Sequence, residues 1–276
     1  MGMSREATYP VRTTERSLAL LEELRDRNGA RIADLAADLE MAKSTIHNHL
    51  STLVEHGYVV KAGDRYQLGL RSLELGGAAR AHLRLYSVAV ASVHEASGRL
   101  AVGVHAEEAD RDVLVHLSRP TAEGGGFLLG RRVPLHAAPS GRAMLALLPD
   151  ERVDEAVAAV EDGAGPDSLT GEALGRRLER VRNRGFATRL DDADHPQRVA
   201  VPVRGENGAP LGAVSYVERD DEAVVGEAES VDHLRRIVDR IERQVSNAWY
   251  STDTFVSPKH SWYVFSGDES GPESDG

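Results

Sequence analysis

The sequence predicts a two-part α+β protein: an N-terminal winged helix-turn-helix, a linker helix, and a second domain that alternates strands with helices. Three observations predict it. Three short amphipathic periodicities and a hairpin pattern follow one another within residues 10–70. Beyond residue 98, stretches of period two alternate with stretches of helical period. Charge is also unevenly divided: residues 1–84 hold 12 basic and 11 acidic side chains, and residues 85–276 hold 21 and 33.

The first helix is expected in TTERSLALLEELRDRNG, where Leu18, Leu21 and Leu24 fall at helical spacing and Asn28-Gly29 forms the stop. RIADLAADLE follows with Ile32, Leu35, Ala36 and Leu39 on one face. In KSTIHNHLSTLVEHGYV, Ile46, Leu50, Leu53 and Val54 point inward, with Ser44 as the expected N-cap and Gly57 just past the end. YVVKAGDRYQLG reads as two short strands around Ala62-Gly63-Asp64. Residues 71–97 form the linker, one helix or two, carrying Leu73, Leu75, Leu83, Leu85, Val88 and Val93 and interrupted at Gly76-Gly77.

In the second domain, residues 98–250, RLAVGVHA and RDVLVHLS pair as a hairpin across an acidic turn. GRAMLALL, DERVDEAVAAV and GEALGRRLERVRNRG are helical, the last ending at Gly185 before the strand FATRL. QRVAVPVR and APLGAVSYVER form a hairpin across Asn207-Gly208, a strong short-range turn signal. A final helix over about residues 222–248 sets Val231, Leu234, Ile237, Val238 and Ile241 on one face. Residues 251–276 are a C-terminal extension whose end, SGDESGPESDG, is expected to be disordered.

Composition removes several function classes. The 276 residues include no cysteine, which excludes a disulfide framework, thiolate catalysis and cysteine-ligated zinc. The start lacks the apolar core of a signal peptide, and AMLALL is far too short to span a bilayer, so a soluble, cytoplasmic protein without membrane contact is expected. Lysine stands only at positions 43, 61 and 259, leaving 30 of 33 basic residues as arginine beside 44 acidic residues. That balance suits a salt-adapted, halophilic host; a GC-rich genome explains the arginine but not the acid excess.

One window departs from the acidity. In a chain of net charge −11, residues 41–54 contain no carboxylate. The outward side of that helix carries Lys43, Ser44, Thr45, His47 and Asn48. In a helix-turn-helix this is the end that reaches base edges in the major groove, where Asn pairs with adenine and a carboxylate would be repelled by phosphate. Lys43, with Lys61 and Arg65 of the wing, supplies phosphate contacts, and Arg12 and Arg16 a possible arm. His47 and His49 lie two apart and point to different sides of the helix, so no metal is expected there.

Catalysis finds little support. His136 and Ser140 with an aspartate can be drawn as a hydrolase triad, but the PSG turn is not a G-x-S-x-G elbow. There is no P-loop, dinucleotide fingerprint or H-E-x-x-H. His105, His116 and His136 can approach one another on neighbouring strands, but their spacing does not support a metal. No enzyme activity, cofactor or metal is expected.

Across about residues 11–250 the sequence resembles the IclR family of transcriptional regulators. The motifs that carry this are RTTERSLALLEEL, KSTIHNHLSTLVEHGYV and DRYQLGLRSLELG, then GRRVPLHAAPSGRAMLALLP, RGFATRLDD and VAVPVRGENGAPLGAVSYV. The resemblance implies a homodimer or homotetramer bound to a double-stranded DNA operator. It implies a C-terminal effector domain with a curved antiparallel sheet flanked by helices, of the GAF or profilin-like type. A small carboxylate effector would bind in the sheet's concavity and change operator affinity, in control of a catabolic operon. By motif the pocket would include Ser140, Gly141, Asp192, Arg198 and Ser215.

Two departures matter: Asn48 stands where many members have arginine, and ADHPQ replaces the usual acidic run after LDD. Physically, a helix N-terminus after Pro139-Ser140-Gly141 offers N–H groups to an anion and Arg198 a bidentate clamp. The alternative is that Ser140 only caps its helix and Arg198 faces solvent or an aspartate. At the level of the whole protein, the alternative is an architectural DNA-binding protein whose C-terminal half only oligomerises.

Overall fold

The structure is a computed structural model that describes residues 9–96, 101–118, 129–162, 170–189, 197–205, 207–217 and 227–247. The expected Asp192 and the C-terminal extension lie outside these residues. Two compact units divide at Ala79 and Arg80.

The first unit holds α1 (Arg12–Asp26), α2 (Ile32–Asp38) and α3 (Lys43–Glu55), then the antiparallel pair β1 (Val59–Ala62) and β2 (Arg65–Leu68). This is the expected order of a winged helix-turn-helix. Leu20, Leu24, Leu35, Ile46, Leu50, Val59 and Tyr66 close its core. Each of these leucines contributes on the order of 1.5–3 kcal/mol by leaving water. Backbone bonds between Ala30 and Tyr66, at 3.0 and 2.8 Å, tie the α1–α2 connection to the wing.

Three details differ from expectation. Leu20 rather than Leu18 turns inward, because the stripe of α1 runs through Leu20 and Leu24, and Leu18 is exposed. Val54 is likewise exposed, although Leu53 beside it packs against the core. Ala42, not Ser44, is the N-cap of α3, and its backbone oxygen accepts from Ile46 at 3.1 Å, so Ser44 already lies inside the first turn. Gly57, at φ +75°, ends α3 in the left-handed region as expected.

The segment that follows is two helices, α4 (Arg71–Ala81) and α5 (Arg84–Ala96). Leu70, Leu73 and Leu75 stay exposed at 84%, 70% and 54%, whereas Leu85, Ala89 and Val93 of α5 are buried in the second unit.

The second unit is a three-layer α+β arrangement around a curved, six-stranded antiparallel sheet. Its strands are β3 (Ala101–Glu108), β4 (Arg111–Leu117), β5 (Arg132–Pro134), β6 (Ala187–Thr188), β7 (Gln197–Arg204) and β8 (Pro210–Val217), in the order β5-β4-β3-β8-β7-β6. On one face lie α5 and α9 (Glu227–Asn247), packed on Val102, Val104, Val201, Val214 and Tyr216. On the other lie α6 (Pro139–Leu145), α7 (Asp150–Asp162) and α8 (Gly171–Arg184), with Leu145, Leu174 and Leu178 packed on Ala187, Ala200 and Ala213. Covering on both faces explains why β3 is buried at successive positions rather than alternating. Thr170 caps α8 through its side chain, and Gly185 ends it at φ +78°.

Candidate nucleic-acid interface and effector site

Helix α3 is fixed by what it buries. Ile46 and Leu50 are inaccessible to solvent, and His49 Nδ1 lies 2.8 Å from the Ser17 hydroxyl of α1. With these positions inward, Lys43, Ser44, His47 and Asn48 are exposed together on the opposite side, with Thr45 half-buried. His47 and His49 therefore face different ways. On the wing, Lys61 is exposed with its ammonium 5.6 Å from the Tyr66 ring centroid. Arg65 is also exposed, and its guanidinium donates to the Gly29 carbonyl, which steadies the wing against the end of α1. Nearby, Arg31 pairs with Asp64 at 2.7 Å, neutralising the carboxylate at the wing tip.

In the second unit the structure brings together two of the expected effector residues through His105, weighed in the sequence only as a metal ligand, and Asp112, which sequence reasoning passed over. On the α6 face of the sheet, His105 Nε2 is 2.9 Å from the Ser215 hydroxyl and Nδ1 is 3.0 Å from Asp112 Oδ1. Asp112 Oδ2 accepts from the Ser140 hydroxyl. All four side chains are buried. A bulge in the β3–β4 pairing falls between Val104 and His105 and aims the imidazole into this chain. Gly103 makes it possible: a Cβ there would lie 2.9 Å from His105 Nε2 and 3.0 Å from Ser215 Oγ.

Ser140 thus uses its side chain on Asp112 rather than as a helix cap, since the N-cap of α6 is Ala138 without a side-chain bond. Gly141 is a close-approach position, because a Cβ would meet the Leu135 carbonyl oxygen at 2.2 Å. Arg198 lies on β7, where a bulge separates Gln197 and Val199; its side chain is outside the described residues.

Arg142, one residue beyond Gly141, is 2% exposed and donates to the backbone oxygens of His136 and Thr188, each at 2.8 Å. Burial, with Arg177 adding to it, pushes its guanidinium down to about 10. It fastens the turn before α6 to β6. Burial also holds the His136 imidazole below its ordinary range, helped by Arg142 and Arg111.

The order Asp112, His105, Ser215 is that of a hydrolase relay, but Ser215 lies within strand β8 rather than on the strand-to-helix elbow that presents such a nucleophile. The three histidines do not converge either. His105 faces α6, whereas His116 lies edge-on to Tyr86 of α5, with ring centroids 6.0 Å apart. Among the described residues no group of histidine and acidic side chains is placed to hold a metal.

The chain matches the family model of the IclR helix-turn-helix domain over residues 13–63 and that of the bacterial transcriptional regulator IclR C-terminal domain over residues 86–247. It is 26% identical over 209 residues to the transcriptional regulator ArcR of Halobacterium salinarum, covering 72% of this chain and 80% of that one. To the transcriptional repressor IclR of Escherichia coli it is 25% identical over 227 residues, covering 76% and 80%. A solved transcriptional regulator of Rhodococcus sp. RHA1 superposes with a TM-score of 0.71 at 25% identity, covering 87% of this chain and all of that one (100%). An IclR homologue of Microbacterium hydrocarbonoxydans, solved with 4-hydroxybenzoate, has the same fold, with a TM-score of 0.67 at 24% identity over 85% and 99%.

Proposed function

Given that this chain belongs to the IclR family of DNA-binding transcriptional regulators, which are not enzymes, we propose that a small organic acid, bound on the α6 face of its sheet, sets its affinity for an operator controlling a catabolic operon. The observation that carries this is the buried Ser215–His105–Asp112–Ser140 chain. A polar line of this kind inside a largely apolar core costs desolvation, and a ligand-reading role accounts for keeping it. Ser140, Gly141 and Ser215 belong to this face, and Asp192 and Arg198 complete the set as the residues that meet the carboxylate. The 4-hydroxybenzoate held by the Microbacterium homologue supports the ligand class.

DNA is met by Lys43, Ser44, Thr45, His47 and Asn48 of α3, with Lys61 and Arg65 of the wing on phosphate. The exposed Leu70, Leu73 and Leu75 support self-association to a homodimer or homotetramer. The protein acts in the cytoplasm; among the described residues no helix is long and apolar enough to cross a membrane. Scarce lysine beside the acid excess supports a salt-adapted host.

The test is a panel of aromatic and sugar-derived acids, read by thermal melting and by fluorescence anisotropy on an operator fragment. A ligand at 100 times its Kd stabilises by about 2.7 kcal/mol. The expected result is one class of acid that raises Tm and shifts operator affinity in wild type, with both effects lost in Ser215→Ala. Operator binding that no acid changes would favour an architectural protein instead.

A further inference from the structure

A second polar cluster sits on the opposite face of the sheet. It is formed by Arg80 in the last turn of α4, Tyr86 in the first turn of α5 and His116 on β4. His116 pairs with Val104, which faces α5 and α9. The Arg80 guanidinium lies over the Tyr86 ring, 4.4 Å from its centroid, and reaches the Val115 carbonyl only at 3.5 Å. Tyr86 meets His116 edge-on at 69°.

Two nitrogens here are buried without a hydrogen-bond partner, Arg80 Nε and His116 Nε2. Unpaired buried polar atoms are rare, because each loses water and gains nothing. No carboxylate pairs with Arg80 among the described residues, although the chain has 44 acidic side chains against 33 basic ones. Stacking on Tyr86 fixes the guanidinium plane and leaves its Nε edge as the recognising side.

We propose that this corner binds a carboxylate, one oxygen accepting from Arg80 Nε–H and the other from His116 Nε2–H. The carboxylate comes from a free organic acid or from an acidic side chain of a second copy of the chain. The site is independent of the α6 face. Burial, then Arg80 and His94, keep His116 below its ordinary imidazole range. Leu83 donates to the Arg80 carbonyl at 3.0 Å, which places the site at the corner between α4 and α5. Occupancy therefore stiffens the end of the segment that joins the two units.

The experiment is an acetate titration of the full chain labelled with 15N-histidine, at constant ionic strength, with sedimentation velocity in parallel. Saturable movement of the His116 ring resonances is expected, with affinity reduced at least about tenfold in Arg80→Gln. Arg80→Lys, which keeps the charge but not the Nε edge, should lose it as well. A His116 that acetate does not move, in a protein whose association state falls in Arg80→Gln, assigns the carboxylate to a second copy. Acetate shifts that persist in both variants overturn the proposal. So does a His116 that ignores acetate while both variants keep the wild-type association state.

Discussion

His105 of β3 and Ser215 of β8 stand 110 positions apart and meet at 2.9 Å, Nε2 to Oγ, directly over the backbone of Gly103. Asp112 extends that contact to Ser140, so one line of hydrogen bonds joins three strands to α6. Removing any member takes a hydrogen-bond partner from a buried neighbour. Asp112→Ala is therefore expected to cost about 2–4 kcal/mol, read as a fall in the urea midpoint at unchanged slope. A loss below about 0.5 kcal/mol, the level of an ordinary surface change, would show that water reaches the chain.

Gly103→Ala tests the same line without removing a polar group. The added methyl must displace His105 or Ser215, so stability should fall by about 1–3 kcal/mol. If Gly103→Ala and Asp112→Ala are combined, the losses should sum to less than their separate values, since both break one network. Strict additivity would contradict it.

Acid should weaken the fold through two imidazoles. His116 is held down by burial, then by Arg80 and His94; His136 by burial, then by Arg142 and Arg111. The unfolded chain takes up protons near the ordinary value of 6.5, and the folded chain takes them up only at lower pH. Their contribution is thus complete above that value and is lost as pH falls through the folded values. Comparing urea midpoints at about pH 7.5 and 5.5, the double variant His116→Gln and His136→Gln should show a smaller drop than wild type.

Lys61→Ala should weaken binding to all DNA sequences about equally. It should also reduce the slope of log K against log salt concentration by about 1. A change confined to the specific operator would move Lys61 from phosphate to base contact.

The first unit was almost fully legible in sequence because its signals are local. A stripe of leucines, a glycine after a helix and a tight turn each specify their element without distant partners. The errors there, Leu18 for Leu20 and Ser44 for Ala42, are shifts within a correctly placed helix, where one residue decides which side of the stripe turns inward. The second unit was legible as elements, with the β3–β4 and β7–β8 hairpins in place, but the three-residue β5 was not, because its length carries no period. Asp112, and the part His105 plays beside it, were missed for a different reason. Their pairing depends on a bulge at Val115 of β4 and on β8 returning as the neighbour of β3, neither of which has a local signature. The available signal was alternation: Gly103 and His105, like Asp112 and Leu114, fall on one side of a hairpin whose other side carries Val102, Val104, Ala106 and Val113.

The central claim, that the acid-free face of α3 reads specific DNA, is tested most directly by genome-wide mapping of bound sites for wild type and Asn48→Ala. Asn48 is exposed and pairs with nothing in the core, so the variant should fold and melt as wild type does. The expected result is sharp occupancy at a few promoters in wild type and its loss in Asn48→Ala, with purified operator affinity reduced by about 1–3 kcal/mol. Diffuse occupancy in wild type, or sharp peaks that survive Asn48→Ala unchanged, would contradict it.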